Sequence, residues 1–145
     1  MLFRSGVKID IKHVTKCFRK LNKIHDIILV EGIGGIMTPI LKDYAIIDLI
    51  KDLNANTIIV TSSKMGTMNH TIMTCNMCKN MKIPVKGLII NNFDSTGYPI
   101  SELERDLSVL TNLPVLCSLP HLTKFNLANF SEMIASQVDI STLIN

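Results

Sequence analysis

The chain has 145 residues, 47% apolar and 19% charged, with a formal net charge of +3 and a mean hydropathy of +0.31. That length suits one domain with its own core, and the composition is that of a globular chain, which excludes a disordered one. The charge is too mild to predict a nucleic-acid partner, and no apolar run approaches the roughly 18–20 residues of a membrane-spanning helix.

Basic residues gather at the start, where Arg4, Lys8, Lys12, Lys16, Arg19, Lys20 and Lys23 face only Asp10. Such a start can be a transit peptide or bind a polyanion. Here the cations alternate with Ile11, Val14, Phe18 and Leu21 at helical spacing, so residues from about 10 to 23 read as an amphipathic helix with a solvated basic face. Met1 to Gly6 has no apolar core of a secretory signal.

Asp26 to Glu31 is a short apolar run closed by a carboxylate, the pattern of a strand buried on both faces of a parallel sheet. A glycine-rich turn and a loop through Pro39 follow, and Asp43 to Leu53 has helical periodicity. Thr57 to Thr61 is a second buried strand, rich in β-branched residues. After a loop over Ser62 to Gly66, a helix is predicted from about Thr67 to Met81, stopped by Pro84. Val85 to Asn91 is the third strand. A polar loop then leads to a helix over Ser101 to Leu110, opened by a Ser-x-x-Glu capping pattern at Ser101 and Glu104. Pro114 to Leu119 is the fourth strand, and a last helix covers about Asn126 to Ser136. This alternation predicts an α/β fold: a three-layer, doubly wound, mostly parallel sheet with helices on both faces. Ligands of such sheets gather at the carboxyl ends of the strands.

The four cysteines are Cys17, Cys75, Cys78 and Cys117. Cys75 and Cys78 form a C-x-x-C, but a structural zinc site wants a second pair, and a redox pair opens a helix instead of lying within one. They read as reduced thiols, which makes the cytoplasm the default compartment.

Three strand ends could carry chemistry. Glu31, at the end of its apolar run, is placed to hold magnesium, and Gly32, Gly34 and Gly35 let the backbone approach a ligand; an ordinary strand-end acid beside a tight turn fits equally. No Lys-Ser/Thr follows these glycines, so this is not a phosphate-binding loop. Lys64 to His70 passes from strand to helix through Gly66, and a helix start offers free N–H groups and a dipole to an anion. Simple capping by Thr67 is the alternative. Asn91 ends the third strand with one donor and one acceptor group, which can match the N6/N7 edge of adenine or merely form a turn. His13, His25 and His121 are isolated.

Together and in this order these segments resemble the dethiobiotin synthetase family. V-E-G-I-G-G with Thr38-Pro39 is similar to that family's V-E-G-A-G-G segment, and G-T-M-N-H (Gly66 to His70) to its helix-opening Gly-x-x-Asn-His. G-L-I-I-N resembles its strand-end asparagine segment, and C-S-L-P-H-L its later proline-ended strand. The likeness runs from about Ile9 almost to the end of the chain. It implies a P-loop NTPase-like fold and an ATP-dependent ligase of biotin biosynthesis, a cytoplasmic homodimer. That enzyme carbamoylates 7,8-diaminononanoate with CO2, phosphorylates the carbamate from ATP with Mg2+, and closes the ureido ring. By position, Glu31 would be a magnesium ligand, with Gly32, Gly34 and Gly35 shaping the substrate side of that loop. Gly66, Thr67, Met68 and Asn69 would receive the carboxylate tail of the diamine. Asn91 would read the adenine, with Pro120 and the loop after it alongside.

One departure is large. The family opens with G-x-x-x-x-G-K-S/T, and no such motif occurs in these 145 residues. The family's upstream catalytic lysine and early metal-binding aspartate are likewise unmatched. The expectation is a single but incomplete synthetase-like domain over residues 1–145, inactive alone and with apolar sheet edges open to association. A non-catalytic nucleotide-binding or dimerisation module of the same fold is the alternative.

Overall fold

The computed structural model describes residues 9–93, 96–139 and 141–144. The chain divides into two compact units between Ala55 and Asn56.

The first unit opens with α1 (Ile11–Leu21), capped by the Asp10 carboxylate, which accepts from the His13 N–H at 3.1 Å. Val14 and Phe18 are half-buried while the lysines point to solvent, as the spacing predicts. A short antiparallel hairpin, β1 (Pro39–Leu41) with β2 (Tyr44–Ala45), precedes α2 (Ile46–Leu53). The helix expected from Asp43 therefore starts three residues later. Tyr44 and Ala45 belong to the hairpin ladder, and the Asp48 carboxylate accepts from the Ala45 N–H at 2.8 Å, which fixes the helix start there.

Asp26 to Glu31, expected to be a strand, is not one. The segment is without a ladder partner among the described residues, and Ile27, Leu29 and Val30 are 54%, 91% and 50% exposed. An apolar run becomes a buried strand only where neighbours supply hydrogen bonds and cover, and periodicity says nothing of neighbours.

The second unit is built on a parallel sheet of β3 (Thr57–Thr61), β4 (Val85–Phe93) and β5 (Val115–Pro120), with β4 central. The crossovers are α3 (Thr67–Asn80) and α4 (Ile100–Thr111). Two right-handed crossovers stepping the same way across a sheet lie on one face of it, and α3 and α4 do pack against each other. Alternation along β5 separates the two faces. The Ser118 hydroxyl reaches the Glu104 carboxylate of α4, whereas Cys117 and Leu119 pack with Val138 and with Phe130 and Ile134 of α5 (Leu127–Ala135). A final turn, α6, covers Ser141–Ile144. Leu88, Ile90, Leu103, Leu107 and Cys78 are fully buried, so the sequence-predicted helix–sheet–helix layering holds in this unit.

The capping pattern at Ser101 and Glu104 is a second correction. Pro99 is the N-cap of α4, Ser101 lies inside the helix, and Glu104 serves Ser118 instead. Proline at the cap leaves no side-chain acceptor, and its fixed φ starts the helix a residue early.

Candidate functional site

In the first unit the segment from Glu31 to Thr38 is a loop. Glu31 is exposed and outside any ion pair among the described residues, which leaves a hard carboxylate oxygen of the kind magnesium takes alongside water. Among those residues no group of three or more His, Cys, Asp or Glu gathers as a metal cage. The loop is tied to the helix that follows it. The Ile46 and Ile47 N–H groups donate to the Thr38 and Ile36 carbonyls at 3.0 and 2.9 Å, so those amides of α2 are committed. Gly34 has φ +72, and a Cβ there would lie 2.7 Å from Thr38 Oγ1; Gly32 would meet Ile46 at 3.3 Å, while Gly35 borders open space. The turn itself thus requires glycine at Gly34, whereas a side chain at Gly32 would only crowd Ile46.

In the second unit the tip of β3 leads through Ser62–Met65 to Gly66, which caps α3 with φ +89. A side chain is strained there, so the cap is glycine and not Thr67. Thr67 is the first helical residue and is buried. Its hydroxyl lies 2.6 Å from Thr61 Oγ1, which lies 2.7 Å from Thr71 Oγ1, and Thr71 donates to the Thr67 carbonyl at 2.8 Å. Each hydroxyl has one proton, and a carbonyl only accepts. The order is therefore fixed: Thr67 donates to Thr61, Thr61 to Thr71, and Thr71 to the Thr67 carbonyl. With the Thr67 N–H donating to the Lys64 carbonyl at 3.1 Å, both donors of Thr67 are committed. The N–H groups of Met68 and Asn69 take no acceptor among the described residues, and the Asn69 side chain is exposed. Of the four residues singled out from the sequence, Gly66 and Thr67 shape the helix start, and Met68 and Asn69 hold the open donors.

The tips of β4 and β5 form a second cluster. Thr61 is in register with Ile90, so Asn91 begins one residue beyond the end of β3, and it pairs with Leu119 as Phe93 pairs with Pro120. Asn92 adopts φ +59, and the ladder is irregular there. Its carboxamide oxygen faces His121 Nδ1 at 2.7 Å, and the His121 N–H donates to the Phe93 carbonyl at 2.9 Å. Since an amide oxygen can only accept, Nδ1 is the donor of this contact. His121, isolated in the sequence, is thus held beside Pro120 by a residue 29 positions away. Asn91 itself is exposed at this edge.

The thiols of the C-x-x-C lie inside α3 and are buried. Burial, and then the neighbouring Cys78, push the Cys75 thiol up to about 11, and burial raises Cys78 as well. Neither is a nucleophile at neutral pH, in keeping with reduced, unreactive thiols.

Comparison with known proteins completes the picture. Residues 4–128 match the AAA domain family. The chain belongs to that family. This AAA-domain chain is 50% identical over 137 residues to the ATP-dependent dethiobiotin synthetase BioD of Nitrosopumilus maritimus (strain SCM1), covering 94% of this chain and 60% of that protein. It is 38% identical over 148 residues to the protein of the same name from Thermodesulfovibrio yellowstonii, at 96% and 62% coverage. The counterpart in Bacillus velezensis is 33% identical over 141 residues, at 97% and 60%. The likeness read from V-E-G-I-G-G and G-T-M-N-H is borne out, as is the P-loop NTPase-like α/β class. The chain spans about three-fifths of the length of these relatives. No helix among the described residues is long and apolar enough to cross a membrane.

Proposed function

We propose that this chain, a single but incomplete α/β domain, forms the substrate-binding part of an ATP-dependent dethiobiotin synthetase, the enzyme that closes a ureido ring on 7,8-diaminononanoate with CO2. The observation that carries the reading is the start of α3. There a helix without a side-chain cap opens with G-T-M-N-H and leaves the Met68 and Asn69 N–H groups free. A fatty-acid carboxylate is the matching ligand: two N–H donors and the helix dipole favour its charge, and the Asn69 carboxamide adds a third donor. The half-buried Met68 side chain offers an apolar surface to the adjoining methylenes.

Asn91 at the tip of β4, with Pro120 and His121 beside it, supports a nucleotide-base site for ATP. A carboxamide pairs with the N6/N7 edge of adenine, and the His121 ring adds a flat face. Glu31 would hold Mg2+, whose charge offsets that of the transferred phosphoryl group, with Gly32, Gly34 and Gly35 keeping the adjoining backbone open to substrate. In this reading the protein works as a cytoplasmic homodimer.

The test is titration of the 15N-labelled chain with 7,8-diaminononanoate. The Met68 and Asn69 amide resonances should move together and saturate, and Asn69→Ala should weaken the response about fivefold to tenfold. Unmoved Met68 and Asn69 amides at saturating diamine would remove this helix start from the substrate site.

A further inference from the structure

We propose that Gly97 and Ser63 form a latch that clamps the loop after β4 onto the loop before α3, making Gly97 a positioning residue for the Met68 and Asn69 donors. This rests on the reading of the α3 start as the carboxylate site, and it adds a residue outside that site.

The latch is a backbone contact. The Tyr98 N–H donates to the Ser63 carbonyl at 2.9 Å. A Cβ on Gly97 would be driven onto that same carbonyl oxygen and would come within 2.7 Å of Ser63 Oγ. Gly97 is not in the left-handed region, where Gly34 and Gly66 lie. Conformational freedom therefore does not demand glycine at 97; proximity does. Ser63 is 1% exposed and cannot swing away into solvent.

What Ser63 connects to gives the contact its consequence. Two residues before it, Thr61 is tied by hydroxyls to Thr67 and Thr71; one residue after it, the Lys64 carbonyl receives the Thr67 N–H. Ser63 thus sits in a short span pinned at both ends to the first turn of α3. A push on its carbonyl cannot dissipate along the chain and is delivered to Lys64 and so to the helix start. The pushing loop is the one that leaves β4 a few residues after Asn91. One glycine therefore sets the spacing between the strand tip read as the base site and the helix end read as the carboxylate site.

The Ser63 hydroxyl is no part of the clamp. Its Oγ is buried without a hydrogen-bond partner among the described residues. Ser63→Ala keeps the carbonyl and is the matched control.

The experiment uses 15N-resolved NMR on the chain with Gly97→Ala, Ser63→Ala and no substitution. Gly97→Ala should retain the β4 and β5 resonances, shift those of Ser63 to Asn69, and weaken the 7,8-diaminononanoate response by about fivefold or more; Ser63→Ala should leave the Met68 and Asn69 resonances and the diamine response unchanged. In the unsubstituted chain the Tyr98 amide should exchange with solvent at least roughly tenfold more slowly than an open loop amide. A folded Gly97→Ala chain with unmoved Ser63–Asn69 resonances, or with an unchanged diamine response, overturns the proposal. So does a Tyr98 amide exchanging at the open rate, a result that needs no variant to fold. If the unsubstituted chain ignores the diamine while Gly97→Ala still displaces Ser63 to Asn69, the carboxylate reading fails and the latch survives as structure alone, without its positioning role.

Discussion

Single residues at the α3 start do different work from what their order suggests. G-T-M-N-H marks the place, but which donors are free also depends on Thr61, which no local pattern links to Thr67. The hydroxyl relay makes Thr61 both donor and acceptor between two buried partners. Thr61→Val should leave the Thr67 hydroxyl without its acceptor and cost about 1–3 kcal/mol, read as a fall in the urea midpoint with an unchanged slope. A midpoint that does not move would show that the relay is not a stabilising unit. Thiol chemistry belongs to this scale too. Cys17 is exposed while Cys75, Cys78 and Cys117 are buried with raised thiols. A maleimide at neutral pH should therefore label the native chain at Cys17 first and the other three only on unfolding, as peptide mass mapping would reveal.

At the scale of elements, what was legible tracked how local the cause is. Helices α1, α3, α4 and α5 lie within two residues of their expected bounds, and β3, β4 and β5 within two of theirs, because periodicity and proline punctuation act over a few residues. The misreadings come from neighbours that the apolar pattern does not show. Asp26 to Glu31 has the apolar content of a strand and no described partner to pair with. Tyr44 and Ala45 are drawn into a hairpin, with Tyr44 donating to Asp52 at 2.6 Å across eight residues. Glu104 caps nothing because Pro99 starts α4 ahead of Ser101, and its carboxylate goes instead to Ser118, fourteen residues on. Gly87 shows a requirement invisible in one sequence: a Cβ there would come within 2.7 Å of Leu116 and 2.8 Å of the Pro114 carbonyl. Gly87→Ala should strain the β4–β5 pairing and destabilise the chain by about 1–3 kcal/mol in urea unfolding, while an equal midpoint would mean that β5 gives way freely.

For the whole molecule, the raised thiols predict how stability depends on pH. A thiol whose folded pKa lies above its unfolded one gives stability that is full below the unfolded value and lost as pH climbs toward the folded value. For Cys75 that window runs from 9.0 to about 11. The urea midpoint should therefore fall between those limits, and fall less in Cys75→Ala; identical alkaline profiles would refute the linkage. Activity is the other property of the whole. With no G-x-x-x-x-G-K-S/T in its 145 residues, this chain alone should release no ADP in response to 7,8-diaminononanoate and bicarbonate, and steady diamine-dependent release would contradict that. The α/β class and the family were open to sequence reasoning because alternating apolar runs and four short phrases carry them. The link between Ser63 and Gly97 was not, since a serine and a glycine in two polar loops look like any others.

The central place of β4 also sets a timetable. Both β3 and β5 hydrogen-bond only to it among the described strands, so β3 has no described strand to join until β4 has been made. Roughly two dozen residues separate them, about one to five seconds of synthesis at the usual pace of a ribosome. Throughout that interval Thr57 to Thr61, with Val60 still 62% exposed in the finished sheet, travels as a bare aliphatic ribbon. Slower translation lengthens that exposure, so the yield of soluble chain should depend on codon choice between Ser62 and Phe93 more than on codon choice after Pro120.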